Sequence, residues 1–336
     1  MRSKTIPVVA AILALVVGLT AGAGAQTLGR VKERGRLVCG VNNALPGFGY
    51  VDSDGTWSGF DVDFCRAIAA AVLGDANAVE FVPLTAAQRQ PAIQTGEVDV
   101  LIRNTTWTLT RDTEWSANYA PTTFYDGQGF MVRADLGVES LEDLAGAAIC
   151  VTRGTTTELN LADAMRARGI PFQPVVFEEV DTVYDAYEQG RCDAVTSDTS
   201  QLASRRAIFA KPEEHVILDV VISKEPLGPL VRHGDDQWFD IVSWVVQATF
   251  YAEEVGITSA NVDSFPTDNP QVARFLGASG DLGVLLGLDN DWARRVIRAV
   301  GNYGEIFARN LEPLGIPRGL NQPWTQGGLL YANPFN

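Results

Sequence analysis

Gly96-Glu97-Val98-Asp99-Val100-Leu101-Ile102-Arg103-Asn104-Thr105-Thr106 and Gly190-Arg191-Cys192-Asp193-Ala194-Val195-Thr196-Ser197-Asp198-Thr199-Ser200 are two copies of one pattern. Each reads as a helix ending at glycine, a Gly-x-x-Asp step, a short apolar strand, and a polar loop beyond the strand. Upstream, Leu37-Val38-Cys39-Gly40 resembles Ala148-Ile149-Cys150-Val151, in the same order. Two lobes of similar strand–helix construction explain the repetition. Their strands alternate with helices, which predicts an α/β fold with a doubly wound sheet in each lobe. Such sheets place ligands beyond the carboxyl ends of their strands, so the two polar loops are expected to face one cleft.

Outward from the first copy, residues 36–41 read as a strand, followed by a loop with Pro46, Gly47 and Gly49 that carries Phe48 and Tyr50 near the strand end. Asp54-Gly55 marks a hairpin. Val62, Cys65, Ala69 and Val72 repeat at helical spacing until Gly74, and 79–82 is the next strand. Thr85 with Gln88 is a capping signature, and Pro91 is expected to kink or restart that helix. Outward from the second copy, Ser140 starts a short helix, and Thr155 with Glu158 is a further capping box before a helical run through Met165. Residues 175–178 form a strand and 182–190 a helix.

Residues 122–132 and 220–231 are extended and glycine-punctuated. They read as two crossings between the lobes, a hinge. The second lobe, 128–225, is then inserted into a first lobe made of 26–127 and 226–336. The tail is helical around 235–245 and 292–311, ends in loops bearing Trp324, Tyr331 and Phe335, and gives no site signal.

Residues 1–25 read as a cleaved export signal: Arg2 and Lys4, an uncharged apolar run over 6–19, and Ala23-Gly24-Ala25 before Gln26. The apolar run is short for a membrane span, which needs about 20 residues. Removing the leader leaves 311 residues, enough for two domains, and moves the formal charge from −15 to −17. A chain this acidic lacks the basic footprint that nucleic acid or anionic lipid requires. The four cysteines, Cys39, Cys65, Cys150 and Cys192, read as disulfides in an exported chain. Three connectivities are possible; Cys39–Cys65 and Cys150–Cys192 are favoured because each pair falls within one half. No C-x-x-C occurs and His215 and His233 lie far from the cysteines, so no metal site is expected.

Arg103 to Arg111 packs two guanidinium groups, an amide, four hydroxyls and an indole into nine residues. Arg111 is read as gripping a carboxylate, with Asn104 and Thr106 beside it; Arg103 is either a contact of this kind or a lobe-to-lobe ion pair. Across the cleft, Thr155 and Thr156 follow Gly154 at a helix N-terminus, a natural anion site. Asp198 supplies a carboxylate for a positive group, or else caps the helix beginning just after it. Together these groups complement a zwitterion. Phe48 and Trp107, on loops at strand ends, are expected to wall the cleft.

Further stretches carry a resemblance: Gly59-Phe60-Asp61-Val62-Asp63, Asn104-Thr105-Thr106-Trp107, Tyr125-Asp126-Gly127-Gln128-Gly129-Phe130, Gly154-Thr155-Thr156-Thr157-Glu158-Leu159-Asn160, Lys224-Glu225-Pro226-Leu227-Gly228-Pro229 and Gly301-Asn302-Tyr303-Gly304. In their order and number they resemble the periplasmic amino-acid-binding subunits of ABC importers (family 3 solute-binding proteins), most of all the general L-amino-acid-binding branch. The resemblance implies a two-lobed, type II-like periplasmic-binding-protein fold that closes on an L-amino acid and delivers it to membrane permease subunits, with no catalysis and no cofactor. It implies that Arg111 binds the ligand carboxylate, that Thr106, Thr155 and Thr156 assist, that Asp198 binds the α-amino group, and that an aromatic near Phe48 packs on the ligand. Trp107 stands where many relatives carry a smaller residue. A monomer in the periplasm is expected. The alternative is an exported enzyme on the same fold, similar to cyclohexadienyl dehydratase, which would need a general acid in the cleft.

Overall fold

The computed structural model describes residues 27–336; the leader read at 1–25 lies outside them. Two five-stranded sheets form the centres of the two lobes. In the first, Val79–Pro83, Leu37–Val41 and Val100–Leu101 run parallel, and Leu230–Arg232 then runs antiparallel between Val100–Leu101 and Ala117–Tyr119. In the second, Gln173–Phe177, Ala148–Thr152 and Ala194–Asp198 run parallel, and Gln128–Arg133 runs antiparallel between Ala194–Asp198 and His215–Ile217. Each sheet thus has three parallel strands, then a strand that has just crossed from the other lobe, then a short edge.

The Gly-x-x-Asp repeat has a physical basis. Gly96 and Gly190 both sit in the left-handed region, φ 74° and 73°, where the preceding helix ends. The carboxylate of Asp99 accepts the N–H of Val38 at 2.8 Å, and that of Asp193 accepts the N–H of Ala148 at 2.8 Å. In each lobe the aspartate therefore satisfies a backbone donor at the start of the central strand and fixes how the third strand enters the sheet.

Phe124–Asp126 and Glu225–Leu227 pair antiparallel and form the two-stranded hinge. The helix Phe60–Leu73 packs behind the first sheet with Asp236–Val255 and Trp292–Val300, in a core that includes Trp238, Trp292 and Phe307. Trp238 donates from Nε1 to the Asp99 carbonyl at 2.8 Å, joining this helical layer to the repeat. The helical signal over 292–311 is interrupted: Trp292–Val300 stops at Gly301, φ 81°, and Tyr303–Asn310 begins with a capping box of Asn302 and Glu305. Pro91 neither kinks nor restarts a helix. The helix Arg89–Thr95 begins two residues before it, so its missing N–H falls in the first turn, where no helical acceptor exists. The tail returns to the hinge. Asn321 accepts the N–H of Tyr125 at 2.7 Å and donates to its carbonyl at 3.1 Å.

Cys39 is bonded to Cys65 and Cys150 to Cys192, one disulfide per lobe. Their sequence separations of 26 and 42 put the chain-entropy contribution of each at about 3–4 kcal/mol. Replacing Cys150 and Cys192 together by alanine is expected to lower the urea midpoint by a corresponding amount; an unchanged unfolding curve would show that the second lobe owes nothing to its crosslink.

Candidate functional site

The loops beyond the strand ends enclose one narrow cavity of about 20 Å³, room for about one water molecule with the lobes this close together. From the first lobe come Arg89, Arg103, Asn104, Thr106 and Arg111; from the second, Thr152, Thr155–157, Val180, Ser197, Asp198 and Gln201. Val180 is the single aliphatic residue of this lining. The lobes are drawn together: Arg89 Nη2 donates to the Gly154 carbonyl at 3.1 Å, Asn104 Nδ2 to Gln201 Oε1 at 3.3 Å, and Arg205 Nη1 to the Ala44 carbonyl at 2.8 Å.

Arg111 sits in the first turn of the helix Leu109–Glu114, whose cap Thr108 accepts the Arg111 N–H. Its Nη1 donates to the Thr106 carbonyl at 3.0 Å, and its guanidinium lies 5.1 Å from the Trp115 ring centre. Arg89 lies over the same ring at 5.6 Å and donates from Nε to Ala86 and from Nη1 to Thr105. Trp115 thus offsets part of the desolvation of two cations. Burial pushes the pKa of both downward, and for Arg89 the neighbouring charges of Arg111 and Arg103 add to it; the guanidinium groups remain charged. Arg103 is lowered to about 10 by burial, with Asp61 of its own lobe as its first charge partner. It lines the cavity and is not a lobe-to-lobe ion pair.

Asp198 ends its strand and occupies the N-cap position of the helix Thr199–Ala207, yet its side chain makes no capping hydrogen bond. Asp126, from the hinge, does this work instead: it accepts from Thr199 Oγ1 at 2.5 Å and from the Ser200 N–H at 3.2 Å. The Asp198 carboxylate is left to line the cavity. Burial, then Asp126 and Glu225, push its pKa well upward, against the pull of Arg111 and Arg89.

The threonines are more occupied than their sequence suggests. Thr155 Oγ1 accepts the Glu158 N–H at 3.1 Å and donates to the Thr152 carbonyl at 2.7 Å, so it serves as a helix cap. Thr106 and Thr156 donate their hydroxyls to Glu225 Oε2 at 2.6 and 2.8 Å. Glu225 Oε1 accepts from Asn160 and Ser223. What this corner can offer a ligand is lone pairs on Thr106 and Thr156, and the N–H groups of Thr156 and Thr157, which as first residues of a helix have no acceptor within it. A Cβ placed on Gly154, φ 72°, would lie 3.7 Å from the Ala87 backbone of the other lobe, in ordinary contact.

Two expected wall residues lie elsewhere. Phe48 is 1 % exposed in the aromatic core, 5.3 Å from Phe124 and 5.9 Å from Phe60. Trp107 stacks on Tyr119 at 5.4 Å with 43 % of its surface exposed and does not reach the cavity. Arg89, Gln201, Asp126 and Glu225 were not singled out by the sequence as site residues. Among the described residues no cluster of His, Cys, Asp and Glu is arranged to hold a metal.

Asp61 stands behind this site. It accepts the Asn104 N–H at 2.8 Å, and burial raises its pKa to about 7. Below about pH 4 its carboxyl is protonated in both folded and unfolded chains; from there to pH 7 the unfolded chain ionises first. Urea unfolding of wild type and Asp61→Asn between pH 4 and 8 is expected to show wild type losing stability relative to the variant through that window, by up to about 4 kcal/mol, with no further change above it. Parallel curves would overturn the assignment.

The model of the bacterial extracellular solute-binding proteins, family 3, matches residues 37–255. The general L-amino acid-binding periplasmic protein AapJ of Rhizobium johnstonii is 54% identical over 99% of both chains. The glutamate/glutamine/aspartate/asparagine-binding protein BztA of Rhodobacter capsulatus is 51% identical over 97% of both. The structure of an ABC transporter/periplasmic binding protein from Brucella ovis with glutathione bound superposes with a TM-score of 0.91 at 52% identity, covering 93% of this chain and 100% of that one.

Proposed function

Because the chain belongs to the bacterial extracellular solute-binding proteins of family 3, we propose that it captures L-amino acids between its lobes and hands them to the membrane subunits of an ABC importer. The observation that carries this reading is the placement of Arg111 on one lobe and Asp198 on the other in the lining of one polar cavity between them. Arg111 takes the α-carboxylate together with the free N–H groups of Thr156 and Thr157, and Asp198 takes the α-ammonium. Thr106 and Thr156 act through Glu225, which orients both hydroxyls. Residues 26–127 and 226–336 move as one lobe against 128–225. The protein works as a monomer in the periplasm, after removal of residues 1–25.

A micromolar ligand needs about −8 kcal/mol, and hydrogen bonds to charged groups contribute about 1.5–3 kcal/mol each, so these contacts suffice once closure excludes water. One observation favours the enzyme reading: Asp198, pushed upward by burial, is a carboxylate that could hold a proton in the cavity. Unchanged ligand after prolonged incubation with the protein would dispose of that alternative.

Titration calorimetry with L-amino acids is expected to show Arg111→Ala weakening every ligand about 150-fold or more, the loss of two charged hydrogen bonds at the low end of their range, while circular dichroism shows it folded. Unaltered affinity would overturn the carboxylate assignment. Glu225→Gln turns an amide toward four donors; it is expected to weaken all amino acids alike, by about tenfold for one lost net hydrogen bond.

A further inference from the structure

The contacts that cross between the lobes fall into two groups. Arg89 and Asn104, which reach Gly154 and Gln201, line the cavity. Ser204 and Arg205 do not. They lie about one turn beyond Gln201 on the helix Thr199–Ala207 and meet residues 44–46 of the first lobe, which are likewise outside the cavity lining. Ser204 Oγ donates to the Pro46 carbonyl, and Arg205 Nη1 to the Ala44 carbonyl at 2.8 Å.

Both sides of this contact are held in shape by their own lobes. In the first, the Ala44 N–H goes to Asn42 Oδ1 at 3.1 Å and the Phe48 N–H to the Leu45 carbonyl at 3.1 Å, so the two acceptor carbonyls stand on a fixed turn. In the second, the Arg205 guanidinium lies 4.8 Å from the Tyr184 ring centre and Nη1 also meets Asp181 Oδ1 at 2.7 Å. Ser204 and Arg205 are both buried with the lobes together. Arg205 Nε is buried without an acceptor. That unmet donor gives back part of what the contact gains, so the contact can release.

We propose that Ser204 and Arg205, with the turn at residues 44–46, form a latch that holds the lobes together whatever lies between them. The cavity has room for about one water molecule with the lobes this close. On the binding reading above, an amino acid therefore enters and leaves only when the lobes part, and parting breaks the latch. The latch touches no residue of the cavity lining other than its neighbours on the same helix, so it slows the escape of every ligand alike and selects none. Arg205 is a positioning residue: it acts through closure and not on the ligand.

Small-angle X-ray scattering of the mature chain without amino acid tests the latch independently of the binding reading. Wild type is expected to scatter as the structure does with its lobes together, and Arg205→Ala to show a larger radius of gyration. Asp181→Asn, which alters Arg205 only within its own lobe, is expected to scatter as wild type does. Ser204→Ala leaves Arg205 and its ring contact in place and carries the test if Arg205→Ala does not fold. In stopped-flow fluorescence with a panel of L-amino acids, Arg205→Ala is expected to release every bound amino acid at least tenfold faster, the loss of one charged hydrogen bond, by factors within threefold of one another and with association no slower. Wild-type scattering wider than the structure, folded variants that superpose on wild type, Asp181→Asn widening as far as Arg205→Ala, or unchanged release rates overturn the latch. Wild type binding no amino acid overturns the binding reading, and scattering then decides the latch alone.

Discussion

Three guanidinium groups converge on one small cavity, and all of them belong to one lobe. Taking isolated ions out of water costs several kcal/mol each even after relaxation. Arg103 has Asp61 beside it, but Arg89 and Arg111 find their opposite charges in Asp198 of the other lobe and Glu225 of the hinge. The compensation therefore depends on where the second lobe sits. Separated, the lobes expose two faces of opposite charge to water, which solvates each; brought together without a ligand, they leave both charges poorly matched across unfilled space. On the proposed reading, a zwitterion would supply the missing partner to each face at once. Closure and recognition are then one electrostatic event.

That demand reaches into local structure. A helix that begins after a buried aspartate would normally take that aspartate as its cap, and Asp198 occupies the position. The cap is furnished from a distance by Asp126, so the carboxylate nearest the cavity stays uncommitted. Glu225 does the converse. It gathers hydroxyls from both lobes and settles which way their protons point, leaving their lone pairs on offer. Both residues lie in the paired hinge strands, so the hinge is a pivot and also the part that orients the chemistry of the lobes.

The repeat was legible because its cause is local. A glycine ends a helix and an aspartate three residues on caps the neighbouring strand, so the pattern is written in consecutive residues in both lobes. That Arg111, Thr155 and Asp198 line the cavity was legible from their place as polar residues beyond apolar strands. Phe48 misled because its loop is rich in glycine and looks exposed, while the rings that bury it, Phe60 and Phe124, come from distant parts of the chain. Arg89 carried no signal at all, since a single arginine beside Gln88 and Gln90 reads as a wet helix start; its burial is set by Trp115 and by a carbonyl of the other lobe. Asp126 and Glu225 were hidden inside stretches whose extended, glycine-rich character announced only a crossing. The threonines were over-read, because hydroxyl density is visible in sequence and hydrogen-bond commitment is not.

The clasp of Asn321 on Tyr125 joins the hinge to a part of the chain beyond residue 255, where the family model ends. Both backbone groups of Tyr125 are held by one amide, so the first crossing strand is bolted to the larger lobe as far as that residue. Two residues on, a side chain on Gly127 would run into Val221 of the second crossing. The larger lobe with its tail meets the inserted lobe at a short two-stranded connection that itself carries Asp126 and Glu225. A small rotation is therefore geared directly to whether Asp126 still caps its helix and whether Glu225 still spans both lobes.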